Sequence, residues 1–370
     1  MTVRRKINVC QLIDSSDPGG AEKLAFLYFR MFSDEFNSYL CVTRKEGVLS
    51  NDILNKSHYL FLDRSNENSL KSIFKFYKWI YKNEIDIIHA HLNSVFLAVA
   101  VSFLPPFPKV IWHGHSSPIR SMTFNNLHYI KKRISKVLCV NEVLKKWVIG
   151  QLKINEDKVL YVPNFSVLFE SSDKIIETNL IGKKEGRIIC LANIHEFKDQ
   201  QNLIQAFELL HNENKYKECV LIIAGFYEKN DPYFQMLQNM IIEKKLEAFV
   251  QFTGTVNNVK KLLSEVSIAV LSSKTEGFPL AILEYGLARL PVVSTNVGQI
   301  VEILDYGEAG VLVEKENCDA LYTGLKYIID NPKNASLLIN NLSDRINQFY
   351  SQKRIYEMIK SVYIKTSELP

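Results

Sequence analysis

The sequence is poor in glycine, proline and cysteine motifs, the features that mark fibrous, low-complexity or metal-binding chains. Its 370 residues include 15 glycines and 11 prolines, too few for a collagen-like or low-complexity protein. None of the six cysteines forms a C-x-x-C pair. Four of them, Cys10, Cys139, Cys190 and Cys219, lie inside apolar runs. Small buried hydrophobic residues in a reducing compartment are the simplest account of them.

Long apolar runs are also missing. The longest candidate, residues 95–104, is interrupted by Ser102 and stopped by Pro105 and Pro106, whereas a membrane-spanning helix needs about 20 apolar residues. The basic start of the chain is followed by an apolar stretch that Asp14 cuts short, so no signal peptide is apparent. We therefore expect a cytoplasmic protein that can touch the inner face of the cell membrane but does not cross the membrane.

Neither sign of charge dominates. The chain carries 45 basic and 40 acidic residues, a net charge of +5, and the charge is dispersed. Nucleic-acid binders usually concentrate positive charge in one patch, so we expect no nucleic-acid partner. One modestly basic cluster is either a solvated surface or a docking site for anionic lipid. It comprises Lys131, Lys132, Arg133, Lys136, Lys145 and Lys146.

What is present is an alternation of short apolar strands and helices in both halves of the chain. The strands of the first half are predicted at 7–13, 38–43, 85–89, 110–113 and 136–140, with helices at 21–32, 69–82 and 92–103. Those of the second half are predicted at 187–192, 220–224, 250–253, 268–271, 291–295 and 310–313, with helices at 201–210, 231–244, 256–264, 279–288 and 319–331, and a last helix at 353–365.

This alternation favours parallel sheets covered by helices on both faces. The fold class is therefore α/β, with two doubly wound Rossmann-like domains that we expect to face each other across a cleft. A polar segment at 165–185 interrupts the pattern, and we interpret it as the interdomain linker.

The strongest chemical signal is the segment from Glu276 to Gly286, which follows a predicted strand. Gly277 permits a tight turn, and Pro279 suits the first position of a helix. The free amides of such a helix start attract an anion. Glu276 and Glu284, eight residues apart, could bracket one ligand with phosphate at the amides between them. The alternative is a structural loop with a capping acid and a surface glutamate.

This segment resembles the E-x7-E motif of retaining glycosyltransferases with the GT-B fold, most closely glycosyltransferase family 4 of bacterial polysaccharide synthesis. The resemblance implies that Glu276 contacts the transferred sugar and that Glu284 binds the ribose hydroxyls. The loop residues Gly277, Phe278, Pro279 and Leu280 would then hold the donor phosphates. By the same resemblance, residues 1–165 form an acceptor-side domain on which helix 353–370 packs back, and residues 166–352 form the nucleotide-sugar donor domain.

Other segments are similar to the family over nearly the whole chain. Gly19 and Gly20 resemble its first-strand glycine loop, near the acceptor and the donor phosphates, although Gly-Gly is also common in plain turns. His113 resembles the histidine at a strand end beside the donor sugar, and His115 is the second choice, on the acceptor side. Residues 297–302 resemble the segment that orders the donor loop, through Glu302.

One position departs from the family. An Arg followed five residues later by a Lys often neutralises the donor diphosphate. Lys198 fits the Lys, but Asn193 stands where the Arg is expected, and Asn donates hydrogen bonds without charge. Protonated His195 is a possible replacement.

The histidines also raise the question of a metal. Two H-x-H pairs, His89 with His91 and His113 with His115, each place two imidazoles on one face of a strand. No cysteine or carboxylate has suitable spacing to complete a site, and the donor loop has no D-x-D motif. The resemblance implies metal-independent chemistry without a cofactor, and the missing D-x-D motif is consistent with it.

The resemblance implies a retaining transfer of sugar from a nucleotide-diphosphate sugar, with a UDP-sugar favoured, to a glycan hydroxyl. Glu276, His113 and Lys198 would be catalytic, and the acceptor would be a glycan or a polyprenol-diphosphate-linked oligosaccharide of capsule, O-antigen or exopolysaccharide synthesis. Two alternatives stay open. One is a nucleotide-sugar epimerase or hydrolase of the same architecture, and the other is a non-catalytic scaffold that binds a nucleotide sugar or a partner.

Overall fold

The structure, a computed structural model, describes residues 5–17, 19–32, 34–51, 53, 56–65, 69–115, 127–168 and 179–369. The chain divides into two compact units. Unit 1 consists of Met1–Asn164 together with Gln352–Pro370, and unit 2 consists of Phe165–Ser351.

Unit 1 is built on a seven-stranded sheet in the order β3-β2-β1-β4-β5-β6-β7, in which every paired strand is parallel. The strands are β1 (Asn8–Ser15), β2 (Asn37–Lys45), β3 (Tyr59–Phe61), β4 (Ile87–His91), β5 (Lys109–Gly114), β6 (Ile134–Cys139) and β7 (Val159–Tyr161). The helices are α1 (Gly20–Met31), α2 (Ser69–Lys82), α3 (Val95–Val101), α4 (Leu127–Ile130) and α5 (Glu142–Gly150), joined by the last helix of the chain, α13 (Gln352–Ser367).

Unit 2 is built on a six-stranded parallel sheet in the order β10-β9-β8-β11-β12-β13. Its strands are β8 (Arg187–Leu191), β9 (Val220–Ala224), β10 (Val250–Gly254), β11 (Ile268–Leu271), β12 (Val292–Thr295) and β13 (Val311–Val313). Its helices are α6 (Gln200–Asn212), α7 (Pro232–Glu243), α8 (Val259–Ser264), α9 (Leu280–Leu287), α10 (Ile300–Ile303), α11 (Cys318–Asp330) and α12 (Pro332–Phe349).

The strands form because their apolar residues are buried on both faces of each sheet. All residues of β4 and β9 are buried, as expected for parallel strands covered by helices on both sides. The free thiols of Cys10, Cys139 and Cys190 are buried among them, whereas Cys219 is only half-buried because it precedes β9.

Side-chain caps decide several helix boundaries that hydrophobic periodicity misplaces. The predicted helix 256–264 begins only at Val259, because the Asn258 side chain accepts a hydrogen bond from Lys261 N at 2.9 Å. Asn141 likewise accepts from Leu144 N and starts α5, a helix that the sequence did not predict. Polar helix α12, which begins with Pro332, was also missed because its apolar stripe is thin.

The segment interpreted as a linker lies partly outside the described residues, since 169–178 are not described. Its last part packs on unit 2 through Arg187. The guanidinium of Arg187 donates to the carbonyl oxygens of Leu180, Ile181 and Gly182 at 3.0, 3.0 and 2.8 Å.

Candidate active site

Each sheet has one point where the strand order reverses. In unit 1 it lies between β1 and β4, and in unit 2 between β8 and β11. Ligands of open α/β sheets bind beyond the carboxyl ends of the strands at such points. The predicted site residues fall on the loops and strand ends at these two points, so each unit has one candidate site.

The site of unit 2 centres on an ion pair between the loops that follow β8 and β11. Lys198 Nζ lies 2.5 Å from Glu276 Oε1, and Ser273 Oγ donates to the same oxygen at 2.6 Å. The Glu276 side chain is 8% exposed and that of Lys198 is 29% exposed. A partly buried pair with an additional donor is held more firmly than a surface ion pair. The structure thus brings two predicted catalytic residues into contact.

Main-chain contacts fix the two loops to each other. Ser272 Oγ donates to Lys198 O at 2.8 Å, and Lys274 N donates to Phe197 O at 2.9 Å. The loop after β12 packs against the Glu276 loop. There Gly298 has a φ of +55°, and a Cβ on it would lie 2.1 Å from Glu276 O. Gly298 is therefore the residue of segment 297–302 that touches the Glu276 loop, whereas the side chain of Glu302 accepts a hydrogen bond from Gln299.

The helix start predicted after Gly277 is present, one residue later than expected. α9 begins at Leu280, and Pro279 is its N-cap residue with extended φ and ψ. No side chain among the described residues caps this helix, so its first amides can donate to an anion. Phe278 and Leu280 are 6% and 7% exposed, which anchors the loop to the core while its backbone stays at the strand ends.

Glu284 lies inside α9 and is 5% exposed. Ser166 Oγ donates to Glu284 Oε1 at 3.3 Å. The next residue, Tyr285, accepts a hydrogen bond from Leu191 N at 2.7 Å, which joins α9 to the end of β8. A buried carboxylate held by a hydroxyl is not the surface glutamate of the alternative interpretation.

Asn193 takes a structural position at the end of β8. Its Oδ1 accepts from Phe226 N at 3.0 Å, and its carbonyl oxygen accepts from Gln200 Nε2 at 3.0 Å. The neighbouring His195 is exposed, and its Nδ1 accepts from Phe197 N at 3.2 Å. That hydrogen bond requires Nδ1 to be unprotonated, so protonated His195 is a poor substitute for the expected Arg.

The glycine pair of unit 1 joins β1 to α1. Gly19 is the N-cap residue of α1, in an extended conformation, and Gly20 is the first residue of the helix. A Cβ on Gly20 would have no atom of the described residues within 4 Å. The fold of unit 1 therefore does not itself require glycine at this position.

The four histidines of the two H-x-H pairs lie on one face of the unit 1 sheet. Gln11 of β1 is in register with His89 of β4, and His91 of β4 is in register with His113 of β5. His89, His91 and His113 are buried, and His115 is half-buried. The His113 and His115 rings stack with their centroids 4.2 Å apart, and the ring of Tyr28 stacks on His89 at 5.6 Å.

Two hydrogen-bonded chains run through this cluster. In the first, Tyr363 OH lies 2.7 Å from His89 Nδ1, and His89 Nε2 lies 3.1 Å from His113 Nδ1. In the second, Gln11 Oε1 lies 3.0 Å from His91 Nε2, and His91 Nδ1 lies 2.9 Å from His115 Nε2. Gln11 Nε2 donates to Tyr363 OH at 2.9 Å and connects the two.

Burial keeps the cluster uncharged. It lowers the pKa of His89 and of His115 to about 3, and it lowers the pKa of His91 and His113 well below the usual range, with the neighbouring histidines adding to the effect for all but His115. Ligand nitrogens of His89, His91 and His113 lie within 4.8 Å of one another. The cluster hydrogen bonds already engage these nitrogens, with one exception: in the described part of the chain, His113 Nε2 has no partner. Metal independence stays a prediction.

Sequence reasoning missed Gln11, Tyr363 and Ser273. Gln11 could have been found, because it is the one polar residue in the apolar run Val9–Ile13. Ser273 precedes the motif by three residues and has no pattern of its own. Tyr363 reaches the cluster only because α13 packs on unit 1, more than 270 residues along the chain from His89.

Comparison with known proteins agrees with this arrangement. The model of the family "Glycosyltransferase Family 4" matches residues 18–165, and that of "Glycosyl transferases group 1" matches residues 171–345. Together the two matches account for most of the chain.

Relatives include enzymes of bacterial polysaccharide synthesis. The UDP-Gal:alpha-D-GlcNAc-diphosphoundecaprenol alpha-1,3-galactosyltransferase of Escherichia coli is 22% identical, with 93% of each chain covered. The capsular polysaccharide biosynthesis glycosyltransferase CapH of Staphylococcus aureus is also 22% identical, over 95% of this chain and 98% of CapH.

Solved structures share the fold. HepE of Anabaena, crystallised in complex with UDP and glucose, superposes with a TM-score of 0.82 at 17% identity, covering 97% of this chain and all of HepE. The sucrose-phosphate synthase of Thermosynechococcus elongatus superposes with a TM-score of 0.77 at 16% identity, over 97% of this chain and 98% of the synthase.

Proposed function

This chain belongs to glycosyltransferase family 4, and from that premise we propose that it is a retaining enzyme that transfers a sugar from a UDP-sugar to a glycan hydroxyl. The observation that carries the proposal is the Lys198–Glu276 ion pair beside the start of α9. It places a cation, a carboxylate and free amides at one point of the unit 2 sheet. A diphosphate ester joined to a sugar needs these three groups.

The leaving diphosphate is stabilised by Lys198 and by the first amides of α9. An ammonium group has three donors, and only one of them is needed for Glu276. Groups that are already oriented before the reaction stabilise developing negative charge without a cost of reorganisation. Glu276, oriented by Lys198 and Ser273, is left to accept a hydrogen bond from the transferred sugar.

Glu284 would receive the ribose hydroxyls, and UDP is the favoured nucleotide because HepE was crystallised with UDP. The test is calorimetric titration with UDP, GDP, ADP and dTDP. We expect UDP to bind, and Glu284→Ala to weaken it at least tenfold. Glu243→Ala, an exposed glutamate of the same unit, is the control and should bind like the wild type. Binding of none of the four nucleotides would favour a scaffold that binds a partner, or a donor site that is assembled only with the acceptor.

Retention of configuration is tested on the product. NMR of the purified product should show the anomeric configuration of the donor sugar, and the opposite anomer would refute retention. Incubation of the donor without acceptor addresses the epimerase or hydrolase alternative. Rapid conversion or cleavage of the donor under those conditions would overturn the assignment as a transferase.

A polyprenol-diphosphate-linked saccharide is the proposed acceptor, because the name of the E. coli relative specifies such a substrate. Gly19 and His115 of unit 1 are the proposed acceptor-side residues. The experiment compares a polyprenol-diphosphate-linked sugar with the same sugar free in solution. Transfer to the free sugar without transfer to the lipid-linked one would refute this proposal.

Helix α2 has a surface suited to a membrane. Lys71, Lys75, Lys78 and Lys82 form one exposed stripe at helical spacing, and the helix has no acidic residue. Beside this stripe lie the exposed apolar side chains of Leu70, Phe74 and Tyr81, which are 74%, 56% and 60% exposed. Lysines next to aromatic and aliphatic groups suit an anionic lipid surface.

The basic cluster noted in the sequence is the other candidate surface for a membrane. Three of its cations are engaged within unit 1, as Lys75 of α2 is with Phe61 O at 2.8 Å. Lys131, Arg133 and Lys136 each donate to an oxygen of unit 1: Leu152 O, Ser102 Oγ and Asp157 O, at 2.7, 3.0 and 2.8 Å. Within the part of the chain that the structure describes, no helix is both long and apolar enough to cross a bilayer.

Vesicle flotation can separate the two surfaces. The double variant Lys71→Glu/Lys78→Glu should lose binding to phosphatidylglycerol vesicles, because each substitution reverses one charge on α2. The matched variant Lys132→Glu/Lys146→Glu, which changes the same charge at two exposed lysines of the other cluster, should keep most of it. The reverse result would move the contact to that cluster.

A further inference from the structure

A single buried amide controls both histidine chains of unit 1. Gln11 is 0% exposed. Its NH2 group donates to Tyr363 OH, and its carbonyl oxygen Oε1 faces His91 Nε2. An amide has one donor end and one acceptor end, so the orientation of Gln11 determines the direction of every hydrogen bond beyond it.

The first chain runs from Tyr363. Because Tyr363 OH accepts from Gln11, its own proton is free to be donated to His89 Nδ1, 2.7 Å away. A neutral imidazole that accepts at one nitrogen carries its proton on the other. His89 therefore donates through Nε2 to His113 Nδ1, and the His113 proton lies on Nε2. That Nε2–H has no partner among the described residues.

The second chain runs from the other end of the amide. Gln11 Oε1 can only accept, so His91 donates through Nε2 and accepts at Nδ1 from His115 Nε2. His115 Nδ1 is then a bare acceptor, again without a partner in the part of the chain that the structure describes. The two chains thus end in opposite ways, with a donor on His113 and an acceptor on His115.

We propose that Gln11 and Tyr363 are positioning residues that hold all four histidines in the Nε2–H tautomer, so that the chains end in a hydrogen-bond donor on His113 and an acceptor on His115. Both of these nitrogens are buried without a partner among the described residues, and they become available to the substrates when a substrate displaces the groups that cover them. The part of this inference that concerns turnover rests on the proposed function, and the part that concerns tautomers rests on the geometry of unit 1 alone. A fixed donor beside a fixed acceptor orients hydroxyl groups, each of which can both donate and accept.

The first test is a nitrogen–proton correlation spectrum of the protein labelled with 15N-histidine, which distinguishes protonated from unprotonated ring nitrogens. His→Gln variants of each position assign the signals. All four histidines should be neutral with the proton on Nε2. A set with the proton on Nδ1 means that the amide has the opposite orientation and overturns the proposal, as does a charged or mixed set in the wild type.

The second test removes the hydroxyl group at the start of the first chain. Tyr363→Phe deletes the donor to His89 but leaves the Gln11–His91 contact, so the signals of His89 and His113 should lose their single tautomer while those of His91 and His115 keep theirs. Tyr356→Phe is the matched control. Tyr356 lies on the same helix as Tyr363, and both rings contact Phe32, at 4.8 Å for Tyr356 and 5.2 Å for Tyr363. Tyr356 has no contact with the histidines in the described structure.

Turnover supplies the functional readout. Tyr363→Phe should lower kcat by about tenfold, the equivalent of one hydrogen bond, while the affinity for UDP stays unchanged and Tyr356→Phe behaves like the wild type. Unchanged tautomers in Tyr363→Phe overturn the proposal whatever the activity. Altered tautomers with unchanged kcat overturn the part of the proposal that concerns turnover. If the wild-type protein does not bind UDP, the proposed function is refuted but the part that concerns tautomers is not.

Discussion

The two units place their candidate sites at the same topological position but fill them with opposite chemistry. In unit 2 the loops at the strand-order reversal hold a charged pair, Lys198 and Glu276, which lies 8–29% exposed. In unit 1 the strand ends at the corresponding position hold four neutral histidines on a buried face of the sheet. The site of unit 2 can bind a charged ligand through its ion pair, and the site of unit 1 can bind hydroxyl groups through oriented hydrogen bonds.

The difference follows from where the residues lie on the sheet. Lys198 and Glu276 are on loops, where water and a ligand screen and solvate charge. The histidines lie within strands β4 and β5 or directly after them, where burial penalises a charged imidazole. A parallel sheet can therefore provide an electrostatic site and a hydrogen-bonding site from the same architecture, depending on how deep the polar residues sit.

The largest effect is expected where charge is removed from unit 2. Lys198→Ala should weaken UDP-sugar binding by about 30- to 150-fold, because charge-assisted hydrogen bonds are worth about 2–3 kcal/mol. Calorimetry measures this loss. Lys183→Ala, which breaks an exposed ion pair with Glu218 in the same unit, is the control and should change nothing. Equal donor affinity in Lys198→Ala and the wild type would contradict the assignment of the donor site.

A matched pair of Gly→Ala changes compares the backbone of the two sites. Gly298→Ala should destabilise unit 2 by about 1–3 kcal/mol and weaken donor binding, because of its positive φ and the 2.1 Å approach to Glu276 O. Gly20→Ala should leave the free energy of unfolding equal or slightly higher, since it lies at a helix start with open space around it. Urea unfolding measures both.

The Gly20→Ala variant also tests whether the loop at Gly19 and Gly20 contacts a ligand. If a substrate approaches the backbone at Gly20, Gly20→Ala should lower kcat/KM in a well-folded protein. Unchanged kcat/KM would mean that this Gly-Gly is a plain turn.

Acid should affect unit 1 before unit 2. The pKa of the four histidines is lower in the folded protein than the ordinary value of about 6.5, so the unfolded chain binds more protons below that pH. Their contribution to stability is complete above about pH 6.5 and is lost progressively as the pH falls towards about 3. In unit 2, His195 is exposed, and the half-buried His211 has a pKa lowered by burial and by the charge of Lys217, so the acid effect there rests on one histidine against four in unit 1.

Tryptophan fluorescence can follow unit 1 by itself, because Trp79, Trp112 and Trp147, the three tryptophans of the chain, all belong to it. Fluorescence gives the urea midpoint of unit 1, and the part of the circular dichroism transition that fluorescence does not report gives the midpoint of unit 2. Between pH 7 and pH 4.5, the midpoint of unit 1 should fall by more than the midpoint of unit 2. A smaller shift in the midpoint of unit 1 than in that of unit 2 would contradict the neutral cluster.

The smallest expected effect is that of a chelator. Treatment with EDTA should leave transferase activity unchanged, as the metal-independent chemistry predicted from the sequence requires. Loss of activity that Zn2+ restores would instead make His89, His91 and His113 metal ligands and would remove the difference in chemistry between the two units.

Much of the architecture could be predicted because it depends on local patterns. Apolar runs that alternate with helices specify two parallel sheets, and the predicted helix 69–82 coincides with α2. The predicted boundaries of helices and strands were wrong where a polar residue determines them. The strand predicted at 85–89 runs from Ile87 to His91, because His91 pairs with β5 although it is polar.

The family, the two sheets and the charged residues of the loop at Glu276 can be predicted without a structure, because the E-x7-E spacing and the strand-turn-helix pattern are contiguous along the chain. The contacts between distant residues depend on how the chain folds: Lys198 meets Glu276 across 78 residues, and Gln11 meets Tyr363 across 352. The packing of α13 on unit 1 sets the direction of the histidine hydrogen bonds, since it places one hydroxyl against one buried amide. That contact has no pattern in the sequence because its partners come from opposite ends of the chain.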